Sequence, residues 1–153
     1  MKRILFVCLG NICRSPLADG IAKKIVHNNK FDIEIDSAAT AHWHEGEHPC
    51  ADSIKVAKKN NVDISTLRAR QVKRDDYHKF DFIIAMDESN REHLSSMNFP
   101  NVYLLGDFSE YDGIDVPDPY FFEGNDKKIM EVYTMVEKCV QDLIIQINNE
   151  QLI

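Results

Sequence analysis

The stretch Ile4-Leu5-Phe6-Val7-Cys8-Leu9-Gly10-Asn11-Ile12-Cys13-Arg14-Ser15-Pro16 constrains this chain more than any other. Ile4 to Val7 is a short apolar run, suited to a strand buried on both faces. Ser15-Pro16 is a helix-start signal, with a hydroxyl at the N-cap and proline at the first helical position. The loop between them ends at a helix N-terminus, where free N–H groups and the helix dipole favour an anion. Those N–H groups and the Arg14 guanidinium stabilise negative charge, which favours thiolate over thiol at Cys8. The same donors fit the oxygens of a phosphate, and the arginine fork can grip two of them at once. Gly10 permits close backbone approach, and Asn11 tolerates a left-handed conformation. The loop is therefore expected to cradle a phosphate over a sulfur nucleophile.

The rest of the chain alternates helical and strand patterns. Leu17, Ala18, Ile21, Ala22, Ile25 and Val26 recur at helical spacing, so a helix is expected to about Asn29. Ile33 and Ile35 mark a second strand ending near Ser37, followed by a loop over 38–48. A helix is expected from Pro49 to Asn60. Residues 64–71 show no clear period, and Arg74 to Lys79 reads as a short helix. Phe82 to Met86 is a third buried strand, after which Asp87 caps a helix to about Ser96. Val102 to Leu105 is the fourth strand, and a loop rich in Asp, Gly and Pro covers 106–124. The last helix starts near Asn125 or Asp126 and carries Ile129, Val132, Tyr133, Val136, Val140, Leu143, Ile144 and Ile147 on one stripe. Strands alternating with helices imply an α/β fold: a four-stranded parallel sheet with helices on both faces, joined by right-handed crossovers. Ligands of such sheets bind at the carboxyl ends of the strands, where Cys8 and the 106–124 loop both fall.

A length of 153 residues is read as one domain spanning 1–153. The formal net charge of −7 argues against a nucleic-acid partner, so any anion site must rely on a local positive field. Met1-Lys2-Arg3 before an apolar run superficially resembles a secretion signal, but the run is too short and leads into Asn11 and Arg14. No segment is long enough to span a membrane. These features point to the cytoplasm, with secretion lacking a classical signal left open. There the four cysteines are expected as thiols rather than structural bridges. The sequence does not give the oligomeric state, and a monomer suffices for this reading.

The string from Cys8 to Pro16 after an N-terminal strand resembles the low-molecular-weight protein tyrosine phosphatase family. Asp118-Pro119-Tyr120 matches that family's late Asp-Pro loop, and Asp36-Ser37-Ala38-Ala39-Thr40, Ala69-Arg70-Gln71 and Met86-Asp87-Glu88-Ser89-Asn90 are further similar segments. The resemblance runs over nearly the whole chain and implies a flavodoxin-like three-layer sandwich. It also implies a phosphotyrosine-containing protein as substrate and no cofactor. Cys-x5-Arg alone would be a weak signal; the full string with a correctly placed Asp-Pro is strong.

Roles follow residue by residue. Cys8 is expected to attack phosphorus and form a cysteinyl-phosphate. Arg14 is expected to clamp the equatorial oxygens, and Leu9, Gly10, Asn11, Ile12 and Cys13 to complete the phosphate loop. Ser15 could donate to the sulfur, cap the helix, or do both. Asp112, Asp115 and Asp118 share one loop and chemistry alone does not separate them; the resemblance selects Asp118 as general acid, then base. Trp43 and Tyr120 resemble the family's aromatic walls, between which a phenyl ring would stack. The resemblance further implies that Cys13 traps oxidised Cys8 as a reversible disulfide.

No metal is expected, because the loop already supplies positive charge. His42, His44 and His48 are spaced loosely and read as a solvated loop. Where many relatives have Asp-x-Arg, this chain has Cys50-Ala51-Asp52. Where many have a histidine two residues before Ala-Arg-Gln, it has Leu67. That histidine would belong to a network joining Asn11, Ser15 and Ser37, which is therefore expected to be reduced. Phosphoarginine phosphatases of this type carry Thr where this chain has Ile12, which favours phosphotyrosine. An arsenate reductase of the same fold is the runner-up, but it needs a cysteine relay from Cys50 or Cys139. A non-enzymatic phosphate-binding module is the third reading.

Overall fold

The computed structural model describes residues 1–152. Its strands are β1 (Lys2–Cys8), β2 (Ile33–Ala39), β3 (Phe82–Ala85) and β4 (Val102–Leu104). They pair in parallel in the order β2-β1-β3-β4, with Val7 of β1 flanked by Ala38 and Ala85. The helices are α1 (Arg14–Asn29), α2 (Ala51–Lys59), α3 (Asp76–Lys79), α4 (Glu88–Ser96) and α5 (Asp126–Asn148).

The unbroken apolar run of β1 is explained by its central place. Successive side chains alternate across a strand, and here both faces are covered. Ile4 and Phe6 point into a core shared with Leu17, Ile21, Val56, Val136, Val140 and Ile144 from α1, α2 and α5. Leu5 and Val7 point to the other side and pack with Leu94 of α4 and Phe99. The result is a flavodoxin-like three-layer sandwich. Each of these buried apolar side chains contributes up to ~1.5–3 kcal/mol over its exposed state. Along α5 the expected stripe is buried from Ile129 to Ile147, and the Asn125 side chain caps the helix by accepting from the Lys128 amide. Among the described residues no helix is long and apolar enough to cross a membrane.

Several boundaries differ from the sequence reading. Helix α1 begins at Arg14, with Cys13 in the N-cap position, so Ser15 and Pro16 lie inside the first turn. Proline is tolerated there because first-turn N–H groups have no intrahelical partner, and the Ser15 hydroxyl is used elsewhere. Helix α2 starts only at Ala51 because Cys50 before it is extended, and Pro49 lies outside the helix. Strands β3 and β4 each stop one residue early, and helix α3 starts only at Asp76. Residues 64–71 form no helix or strand; Gln71 makes one isolated bridge to Ala39. The 106–124 loop contains a 3-10 turn at Pro119–Phe122, and another at Leu105–Asp107 leads into it.

That loop is anchored at Gly106, whose carbonyl accepts from the Gly113 amide at 2.8 Å. A Cβ at Gly106 would land on the Ile114 carbonyl oxygen, a backbone atom that cannot swing aside. We expect Gly106→Ala to cost about 3 kcal/mol through forced overpacking. Urea unfolding measures this, and a loss under 0.5 kcal/mol would show that the loop can shift freely.

Candidate active site

The chain leaves β1 toward β2 on one side and β3 on the other, which opens a crevice at the carboxyl ends of these strands. Cys8 is the last residue of β1, and residues 9–13 fold back over it into α1. The Asn11 amide donates to Cys8 Sγ at 3.2 Å, and Ser15 Oγ lies 3.0 Å from the same sulfur. Asn11 has φ 56°, the left-handed conformation its side chain tolerates. Its Nδ2 donates to Ser15 Oγ at 2.8 Å, which leaves the serine proton free to point at the sulfur. Ser15 thus serves the thiol rather than capping the helix.

Arg14 opens α1 and is 4% exposed. One Nη donates to Asp87 Oδ2 at 2.6 Å and to the Val116 carbonyl at 3.1 Å; the other lies 3.7 Å from Asp118 Oδ2. Burial works against its charge, but Cys8, Asp87 and Asp118 outweigh burial and raise its pKa. The guanidinium is thereby fixed between the sulfur and the acid loop. Asp87 was read only as a helix cap. It does cap α4, with Oδ1 accepting from Asn90 N–H at 2.7 Å, while its other oxygen fixes Arg14. A carboxylate directly after a strand that borders the crevice was the available signal.

Of the three candidate aspartates, Asp118 alone lines the cleft. Asp115 accepts from the Glu88 amide at 3.0 Å instead, and Asp112 sits in a turn at φ 49°. Asp118 Oδ1 accepts from the Tyr120 amide at 3.0 Å, which orients the carboxyl. The cleft holds about 330 Å³, with Cys8 and Arg14 at its base and Trp43, His44, Tyr120 and Phe121 among its walls. Leu9, Gly10, Ile12 and Cys13 also line it. Trp43 and Tyr120 are 65% and 68% exposed, flat apolar faces open to an incoming ring. The sequence reading took His44 only as part of a solvated loop and gave Phe121 no wall role; each is the chain neighbour of an expected wall.

Three expectations are corrected. Ser37 does not join Asn11: its hydroxyl donates to the buried Asp19 carboxylate at 2.7 Å, whose other oxygen lies 2.8 Å from Lys23 Nζ. Burial pushes the Asp19 carboxyl up, with Lys23 partly countering it. Secondly, Asn11 is not left with a depleted network. Its Oδ1 accepts the Arg70 amide at 3.1 Å, and Arg70 is clamped at 3.0 Å by both Asp36 and Asp76. Leu67 packs on the apolar core in place of the histidine. Thirdly, the cysteines are not all thiols. Cys13 and Cys50 form a disulfide, 37 residues apart with Cα atoms 5.4 Å apart, a separation that suits the bond. Cys13 is therefore not available to Cys8 in this state. Cys139 is buried in α5, donates to the Phe108 carbonyl at 3.2 Å, and burial pushes its pKa up to about 12. His44 Nδ1 pairs with Glu47 at 2.8 Å and His48 Nδ1 lies 3.3 Å from the Ser65 carbonyl, so these histidines do not converge. Among the described residues no cluster of three metal-ligating side chains occurs.

Fold and site together define an α/β protein whose parallel sheet opens, at its carboxyl edge, on a cleft lined by a cysteine, an arginine and an aspartate. Comparison with known proteins places it further. The family model for low molecular weight phosphotyrosine protein phosphatase matches residues 3–152, and the chain belongs to this family. It is 38% identical over 152 residues to the low molecular weight protein-tyrosine-phosphatase PtpA of Staphylococcus aureus (strain Newman), covering 94% of this chain and 92% of that protein. It is 37% identical over 147 residues to the low molecular weight phosphotyrosine protein phosphatase of Gallus gallus, covering 91% of each. A crystal structure of a protein tyrosine phosphatase from Entamoeba histolytica, with Hepes in its active site, superposes with a TM-score of 0.91 at 33% identity. That match covers 99% of this chain and 100% of that one.

Proposed function

We propose that this chain hydrolyses phosphotyrosine in proteins, and simple aryl phosphates, through a cysteinyl-phosphate. The observation that carries the reading is that the Asn11 amide donates to Cys8 Sγ in a cleft that Arg14 and Asp118 also line, 3.7 Å from each other. The phosphate seats in the loop, where Arg14 and the amides hold its non-bridging oxygens as charge moves onto them. Cys8 Sγ attacks phosphorus in line while Asp118 gives a proton to the departing tyrosyl oxygen. Ser15, next to the sulfur, eases its later departure. Asp118 then takes a proton from the water that cleaves the S–P bond, releasing inorganic phosphate and restoring the thiolate. Trp43 and Tyr120 sandwich the ring, and the cleft depth favours a phenyl ester over the shorter phosphoserine. Ile12 on the wall offers an apolar surface, which suits an aryl group better than a guanidinium.

Purified protein should hydrolyse p-nitrophenyl phosphate at mildly acidic pH, without added metal and with inhibition by vanadate. Absence of both turnover and vanadate binding would overturn the reading. A second reading has one observation in its favour: Cys50 lies against Cys13 at the cup, so a cysteine pair adjoins the anion site. Arsenate-driven consumption of reduced thioredoxin would identify that arsenate reductase activity.

A further inference from the structure

The N-terminal turn of α2 grips the back of the phosphate loop. The Cys50 amide donates to the Ile12 carbonyl at 2.7 Å, the Ser53 hydroxyl donates to the Cys13 carbonyl at 2.9 Å, and the Cys13–Cys50 disulfide joins the same two segments. Ser53 is fully buried, so its proton goes to the Cys13 carbonyl, while its oxygen lies 3.1 Å from Cys50 Sγ. The two carbonyls belong to the peptides that carry the Cys13 and Arg14 amides. All described peptide bonds are trans, and in a trans peptide C=O and N–H point in opposite directions. Drawing both carbonyls toward α2 therefore turns both N–H groups away from it, to the side where Cys13 and Arg14 line the cleft.

We infer that Cys50 and Ser53 are positioning residues that aim the Cys13 and Arg14 amides at the bound phosphate, and that the disulfide makes this support redox-dependent. Cys50 is only partly buried, so a small thiol can reach it. A dithiol reductant donates two electrons and two protons. The Sγ–Sγ bond breaks, Cys13 and Cys50 each become a thiol, and the reductant closes to its own disulfide. Freed of the bond, the turn keeps two hydrogen bonds but loses the tether that holds their geometry, and oxyanion affinity falls. The sign is opposite to that of ordinary thiol protection, in which reductant restores a Cys8 enzyme. The inference rests on the anion cup of the proposed function, but not on turnover.

The test is inorganic phosphate binding to the full-length protein by calorimetry, before and after dithiothreitol, with thiols counted by titration of denatured samples. We expect two thiols before reduction and four after, following the free and paired cysteines. The phosphate Kd should rise about three- to tenfold, the effect of weakening one or two hydrogen bonds. Cys50→Ser should show the raised Kd without reductant and no further response to it. Ser53→Ala should raise Kd in the oxidised protein. A role confined to stability would instead lower Tm and leave Kd unchanged. That result, or four thiols in the untreated protein, would overturn the inference. Reductant-dependent phosphate binding without aryl phosphate turnover would sink the proposed function alone, and turnover with reductant-independent binding would sink this inference alone.

Discussion

Cys8→Ser should bind inorganic phosphate and vanadate but turn over no aryl phosphate. The cup does not depend on the sulfur for its donors: Arg14, the loop amides and Ser15 all remain. What changes is the nucleophile. Sulfur is the far stronger nucleophile, whereas a serine hydroxyl stays protonated and has no base beside it. Cys8 Sγ is contacted by the Asn11 amide at 3.2 Å and the Ser15 hydroxyl at 3.0 Å, neither a proton acceptor strong enough to ionise a serine. The expected loss in kcat is at least ~10⁵-fold, the order seen when a covalent nucleophile is removed from other hydrolases. Two measurements check it: steady-state hydrolysis, and a rapid quench for radiolabelled phosphoenzyme. Wild type should trap label on Cys8 and the variant should trap none. Turnover within tenfold of wild type would mean that Cys8 is not the nucleophile.

The second large effect is expected at Asp118. Its carboxyl is held by the Tyr120 amide at 3.0 Å and faces Arg14 at 3.7 Å, with Pro117 and Pro119 stiffening the chain on either side. A phosphoryl group seated on Arg14 would place its ester oxygen on the side of the cleft that Asp118 occupies. Positioned proton transfer is worth ~10²–10⁴ in rate, and most when the leaving oxygen is basic. Asp118→Ala should therefore reduce turnover of phenyl phosphate strongly and that of activated nitrophenyl esters least. A plot of log kcat/KM against leaving-group pKa should become steeper. A uniform loss across the series would indicate that Asp118 only shapes the cleft. The Arg14 pairing with Asp87 at 2.6 Å survives this substitution, so the guanidinium should stay in place and phosphate binding should change little.

Much of this arrangement was legible in the chain. The passage from apolar run to glycine-bearing loop to Ser-Pro located the cup, because strand, turn and helix start are set by neighbours a few residues apart. The stripe and start of α5 and the cap of α4 were readable for the same reason: helical period and cap chemistry are local. The start of α1 was misplaced by two residues because Ser15 had a better partner than a helix amide. That partner, the Cys8 sulfur, is seven residues away along the chain.

What the sequence by itself determined is the sheet, its cover of helices, and a cup with Cys8, Arg14 and Asp118 at the carboxyl edge. All three followed from short patterns or from the Cys-to-Pro and Asp-Pro strings. The tertiary structure alone decided which distant groups hold that cup. Asp87 reaches Arg14 across 73 residues, the Arg70 amide reaches Asn11 across 59, and Cys50 reaches Cys13 across 37. Such contacts have no period and no local propensity. They arise because parallel strands deliver the ends of separate segments to one edge, where buried polar groups must find partners whatever their separation in sequence.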